Sequence, residues 1–195
     1  MKGKVLAAVV ISLMMITGIA IANTGAIARG PPNQGPPGDN IVDVVVAVNE
    51  EEDGAFEGEF DILIAAVTET PKVADILTGN GQRTVFGPTD SAFEALADEL
   101  DLELDELIDF LLDNPEYLED VLLYHIANGR LYAEDVVEKE QINTLRRGRD
   151  GFLMQDGGVL TDNLGREADI IVTDVEAANG VIHVIDAVVL PYLPE

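Results

Sequence analysis

Asn179-Gly180-Val181-Ile182-His183-Val184-Ile185-Asp186, running on through Val188-Val189-Leu190-Pro191, is the stretch that decides the fold. Asn-Gly between two apolar runs is the strongest short hairpin signal in the chain, and it predicts a type I′ turn with Gly180 at positive φ. The next five residues, Val181–Ile185, are apolar on both faces of any strand they form. A strand with one wet face would alternate, so this run predicts a central strand covered on both sides. His183 lies inside that run and reads as structural rather than as a ligand.

Working outward, the period changes near His125. Before it, Phe60–Thr68 places Phe60, Leu63, Ile64 and Val67 at helical spacing. Pro71 and Pro115 sit where a helix tolerates proline, at its first turn, and predict helices carrying Val73, Ile76 and Leu77 and spanning Pro115–Tyr124. Leu104–Leu112 is amphipathic. Thr84-Val85-Phe86 reads as a short strand that Pro88 breaks, after which Thr89 or Asp90 caps a helix Ser91–Ala97 with Phe93 facing inward. Ile41–Val48 fits a buried helix or a strand equally well. After His125, glycines punctuate short β-type runs at Ile142–Leu145, Phe152–Met154 and Ile170–Thr173. Helices first and strands later, with little alternation, predict an α+β class.

Three segments in this order resemble the fasciclin domain family. Thr84-Val85-Phe86-Gly87-Pro88-Thr89-Asp90-Ser91-Ala92-Phe93 is similar to its first motif, with Gly87 where the family often has alanine. Tyr124-His125 matches its tyrosine–histidine pair, and Asn179–Asp186 with its continuation matches its second motif. The resemblance covers residues 40–193 and implies one domain, a wedge of β-strands packed with several α-helices. It implies extracellular adhesion or ligand binding without known catalytic chemistry, and a link between Tyr124-His125 and adhesion. Thr84, Phe86, Pro88, Thr89, Asp90, Phe93, Asn179, Gly180, His183 and Asp186 carry the motifs and are expected to be mainly structural.

The N-terminus has the three-part layout of a secretory signal: Lys2 and Lys4, an apolar Val5–Ala22, then small-residue sites at Ala20-Ile21-Ala22 and Ala26-Ile27-Ala28. A signal peptide over 1–22 is expected, with cleavage as late as 28; the competing reading is an uncleaved membrane anchor. Residues 23–39 form a proline- and glycine-rich tether. These features predict a secreted, extracellular or cell-envelope protein, with the membrane touched only through an uncleaved N-terminal segment.

Acidic residues number 37 and basic residues 11, a net charge of −26. Such a field repels phosphates, so nucleic acid is excluded as a partner. The acids are interleaved with periodic apolar residues and 47% of the chain is hydrophobic, which fits a folded domain with an acidic, halophilic-type surface rather than a disordered polyanion. No cysteine is present, so disulfides and thiolate chemistry are excluded.

No catalytic residue, metal site or cofactor is expected. Thr89-Asp90-Ser91 lacks an activating base and reads as a helix cap. His125 and His183 lack metal-binding spacing. Glu50-Glu51-Glu52-Asp53-Gly54 lacks the alternating pattern of a calcium loop and reads as a solvated acidic loop. His125 is expected to be buried and bonded to the loop at Thr89 or Asp90. Arg146-Arg147-Gly148-Arg149-Asp150 contains no Arg-Gly-Asp. It is a basic patch in an acidic chain, either paired with Asp150, Glu167 or Asp169, or free to dock an anionic polysaccharide or acidic neighbour. Candidate binding residues are therefore Tyr124, His125, Arg146, Arg147 and Arg149. The expected function is a non-enzymatic adhesion or binding module contacting a cell-surface protein, matrix or polysaccharide. The alternative is a secreted carrier of a small apolar or phenolic ligand.

Overall fold

The structure is a computed structural model that describes residues 38–193. The expected signal peptide over 1–22 and nearly all of the expected tether over 23–39 lie outside the described residues. The ambiguous run after Asn40 is a helix, α1 (Ile41–Asn49). Its valines are poor helix formers, so its ends and its burial decide. Asn40 accepts from Val42 N and Asp43 N, and Asp43 bonds back to Asn40 N, a reciprocal cap, while Ile41 and Val45 are buried. In α2 (Asp61–Thr68) the N-cap, Phe60, has no oxygen to offer. Asp90 supplies it from another helix, accepting from Ile62 N at 3.0 Å, and Asn49 accepts from Phe60 N at 2.7 Å. Helices α3 (Pro71–Thr78) and α6 (Pro115–Tyr124) open on proline as expected. Between them lie α4 (Asp90–Glu99), capped by Thr89 through Ala92 N, and α5 (Leu104–Asp113). A short α7 (Ala133–Val137) has no counterpart in the sequence reading.

The strands are β1 (Arg83–Pro88), β2 (Ile126–Asn128), β3 (Gln141–Asn143), β4 (Phe152–Asp156), β5 (Val159–Thr161), β6 (Glu167–Ala177) and β7 (Gly180–Ile185). They form one seven-stranded sheet in the order β2-β1-β7-β6-β5-β4-β3. The two long motifs lie side by side: β1 pairs with β7 in parallel, from Arg83↔Gly180 to Pro88↔Ile185. Pro88 thus ends the paired strand instead of breaking it. Its missing N–H falls on the β2 side, past the last β1–β2 pair at Val85↔Ile126, so no pair of that ladder is lost. Strand β6 pairs with β5 through its first residues and with β7 through the rest, with register shifts between Ile170 and Val175 and Asp174 at φ 62°. Such bulges bend a strand and sharpen its twist. The bent sheet curls until its two edges meet: Ala127 bridges to Thr144, and Leu145 N donates to Ile126 O at 2.7 Å. The wedge is a sheet folded on itself with helices against one side, and the class is α+β.

Two apolar clusters fill it. The helical layer packs Phe93, Leu107, Leu118 and Val121 against Ile182 and Val184. Phe86, Tyr124, Leu153, Leu160 and Ile185 fill the space inside the curled sheet. β7 lies between the two and is buried at all six positions, as its apolar run required.

The hairpin before β7 is a correction. Its two loop residues are Ala178 and Asn179, since Ala177 pairs with Gly180. Neither the loop residues nor Gly180 adopt a positive φ, so the turn is not type I′. Gly180 is required for another reason: a Cβ there would lie 2.2 Å from Arg83 O and 2.6 Å from the Ile41 side chain. Asn179 is buried, and its amide joins three elements. Its Oδ1 accepts from Ile41 N at 2.9 Å, and its Nδ2 donates to Leu77 O at 2.6 Å and Gly79 O at 2.7 Å. One side chain thereby satisfies the start of α1 and the end of α3.

Candidate binding surface

Tyr124 and His125 end α6 at the point where the three recognised segments converge. Tyr124 is 0% exposed and His125 3%. The Tyr124 hydroxyl donates to Phe152 O at 2.7 Å, and burial pushes its pKa upward. His125 O accepts from Phe86 N at 2.9 Å, in the first motif. The imidazole bonds Val121 O through Nδ1 at 2.8 Å and accepts from Val189 N through Nε2 at 3.3 Å, in the second. The expected partners Thr89 and Asp90 do not hydrogen-bond to it: Thr89 caps its own helix and Asp90 caps α2. Burial lowers the His125 pKa to about 4, so the ring is neutral at physiological pH. His183 is also buried, stacked on Phe86 with ring centres 5.6 Å apart. It bonds Leu131 O through Nε2 at 2.8 Å and accepts from Asp174 N through Nδ1 at 3.3 Å, and burial lowers its pKa as well. Two further motif side chains bond within the fold. The Thr84 hydroxyl bridges Gly129 O and Leu131 N, and Asp186 accepts from Asp169 N at 2.8 Å.

The basic segment is on the surface. Its base is fixed: Arg146 N donates to Leu123 O at 3.2 Å, Thr144 N donates to Gly151 O at 2.9 Å, and Asn163 holds Asp150 O at 2.7 Å. Gly151 has to be glycine, because a Cβ would lie 2.1 Å from Arg146 O. Among the described residues, the expected acidic partners Asp150, Glu167 and Asp169 form no ion pair with the segment. Arg146 pairs instead with Asp120 on α6, Nε to Oδ2 at 3.3 Å, and lies over the Tyr192 ring at 5.1 Å. The Tyr192 hydroxyl donates to the same Asp120 oxygen at 3.2 Å. Tyr192 continues edge-on to Tyr117 at 5.3 Å, and Tyr117 to Phe110 at 5.9 Å. Tyr117 donates to Tyr192 O, and burial pushes its pKa up to about 12, so it remains a donor. Arg147 and Arg149 are exposed and form no ion pair among the described residues.

Two side-chain groups escaped the sequence reading. Phe110, Tyr117 and Tyr192 are scattered along the chain with no common period. Asp162 is buried and accepts from Leu164 N, Arg166 N, Leu190 N and Arg166 Nε. Arg166 also reaches Glu99 at 3.0 Å. The Asp-x-x-x-Arg spacing was the only local signal, and nothing in it marks a buried pair. The Glu50–Asp53 loop is exposed, and among the described residues no cluster of three acids or histidines could hold a metal ion. Nor is any described helix long and apolar enough to cross a membrane. The enclosed void among helices α2, α4 and α6 is apolar and about 20 Å³ in volume, and an open apolar groove of about 180 Å³ runs between α2 and α5.

A curled mixed sheet with an α-helical layer and the three interlocked motifs define a class: single α+β wedge domains. The likeness is measurable. A FAS1 domain pair from the insect cell adhesion molecule fasciclin I superimposes with a TM-score of 0.58 at 18% identity, covering 78% of this chain and 51% of that one. "Protein sll1483" of Synechocystis is 36% identical over 68% of this chain and 67% of its own length. The transforming growth factor-beta-induced protein ig-h3 of Sus scrofa is 32% identical over 78% of this chain but only 21% of its own. The fasciclin domain profile matches residues 58–191, and the chain belongs to the fasciclin domain family.

Proposed function

We propose that this chain is an exported, non-enzymatic adhesion module whose contact point is the cationic loop Arg146–Arg149. It binds a carboxylated or sulfated polysaccharide, or an equally acidic cell-surface protein. The observation that carries the reading is the state of Arg147 and Arg149. In a chain of net charge −26 they are exposed, and no ion pair holds them among the described residues. Arg146 is spent on Asp120 and Tyr192, which hold the loop in place. Planar guanidinium groups suit carboxylate and sulfate because they bond them in pairs. Membership of a family with adhesion proteins among its structural likenesses supports the same reading.

Tyr124 and His125 act in this account by shape. Both side chains are closed off, and they fix α6, whose Asp120 positions Arg146. The carrier alternative asks for an enclosed site of roughly 300–1,000 Å³. The enclosed void of about 20 Å³ gives it no support. The test is a binding screen of the chain against acidic and neutral polysaccharides and intact cell envelopes, beside Arg147→Gln/Arg149→Gln. Selective binding of acidic glycans that the double variant loses is the expected result. Equal binding by the variant would remove the loop from the function.

A further inference from the structure

We propose that the groove between α2 and α5 is a docking site for a cationic amphipathic helix from a partner protein. Ile62 and Ala65 form one wall, Ile108 and Leu112 the other, and Leu111 and Leu118 the floor. Leu112 is 41% exposed, although α5 already buries Leu107 and Leu111 in the core. The groove is open along its length and its volume is about 180 Å³. That is below the range of small-molecule pockets, roughly 300 Å³ and upward, and suits aliphatic side chains presented from a helix at i, i+3 and i+4 spacing.

Charge selects the occupant. Every charged residue on α2, α4, α5 and α6 is acidic. Asp61 stands in the groove wall, and Asp105 and Asp109 lie on the row of α5 next to Ile108 and Leu112. An apolar stripe flanked by Lys or Arg meets both features, whereas an acidic helix or an anionic membrane is repelled. A second copy of this chain lacks the matching element: among its described helices the only basic residue is Lys72 on α3. This proposal is independent of the cationic loop and concerns a partner of the opposite charge.

The test uses the full chain and three synthetic peptides of about 18 residues, a length typical of helices. One is a Leu/Lys peptide with a helical apolar stripe, one its scrambled isomer without a stripe, and one the Leu/Glu counterpart. Binding is read by fluorescence anisotropy in 0.5 M NaCl, where the bulk field is screened to about 4 Å. The striped Leu/Lys peptide is expected to bind at least ~10-fold more tightly than either control, with the loss of roughly one good apolar contact setting that scale. Leu112→Ser, shown to be folded by its cooperative melting transition, should weaken it ~10-fold, and Asp109→Lys should weaken it further than Asp109→Asn. Arg147→Gln/Arg149→Gln should leave peptide binding unchanged, which separates this site from the loop. Equal binding of the scrambled peptide, or indifference to Leu112→Ser, would overturn the proposal. So would sedimentation showing a dimer that Leu112→Ser dissociates, since the groove would then belong to a second copy.

Discussion

Asn179 ties the ends of two helices to the hairpin before β7. Its amide satisfies one backbone donor and two acceptors at the ends of α1 and α3, inside the protein. Removing it leaves several buried polar groups unpaired, at about 1–3 kcal/mol each. Asn179→Ala should therefore cost about 3 kcal/mol or more in urea unfolding, and a change below about 0.5 kcal/mol would contradict the assignment. His125 sets a pH limit. Its folded pKa is held near 4 by burial, while the unfolded ring titrates near its ordinary 6.5. Between those values the unfolded chain binds the extra proton, so stability rises with pH across the window and is lost as pH falls from 6.5 towards 4. The loss is on the order of 3 kcal/mol, at about 1.36 kcal/mol per pH unit. His183, shifted in the same direction, adds to it. Unfolding free energies at pH 7, 6 and 5 should show this slope, and His125→Asn should flatten it. An equal slope in the variant would assign the effect elsewhere. The sequence reading took His183 as structural and His125 as buried yet a candidate for binding, and the structure buries both. That reading misplaced the bonds of His125 because the carbonyl of Val121 and the amide of Val189 are backbone groups that no side-chain pattern announces.

Elements support one another across the chain rather than by their own ends. Helix α2 has no side-chain cap of its own and takes one from Asp90 of α4. Burial first, and then the charges of Asp61 and Glu59, raise the Asp90 pKa against the hydrogen bond that lowers it. Asp90→Ala should destabilise by about 1 kcal/mol, with faster amide exchange at Ile62 while α4, capped by Thr89, keeps its protection. Equal protection at Ile62 would show that α2 does not need this cap. Long amphipathic helices were legible because their 3.6 period is written along ten residues, as in α5 and α6. Strands β2 and β5, with three residues each, are too short to show a period, and α7 has only five. β6 is eleven residues long but only Ile170–Thr173 stood out, because its bulges shift the alternation partway along. The Asn-Gly pair located the hairpin and misled on its geometry. The demand on Asn179 comes from Ile41 and Leu77, far away in the sequence.

At the scale of the molecule, net charge carries predictions for both stability and recognition. With 37 acids against 11 basic residues, the carboxylates repel one another across a small surface, and unfolding separates them. Only four ion pairs are formed among the described residues. Moving from 0.05 M to 2 M NaCl should raise the melting temperature by several degrees, as screening shortens to below about 3 Å. A flat response would mean that the acids are locally compensated. The candidate surface was half legible: the arginine cluster was visible in the sequence, while its support from Asp120 and the Phe110–Tyr117–Tyr192 row depends on tertiary packing. The same charge gives the adhesion reading a signature that simple cation–polyanion attraction lacks. At low salt the whole molecule repels an acidic polymer, and only when that field is screened can Arg147 and Arg149 act at short range. The most direct test is therefore calorimetric titration of the full chain with polygalacturonate from 0.05 M to 1 M NaCl, beside Arg147→Gln/Arg149→Gln. The account predicts affinity that strengthens from 0.05 M to about 0.5 M, and a loss of at least ~10-fold in the double variant throughout, about 1.4 kcal/mol. Affinity that falls steadily with salt, or a double variant that binds as tightly as the native chain, would contradict it.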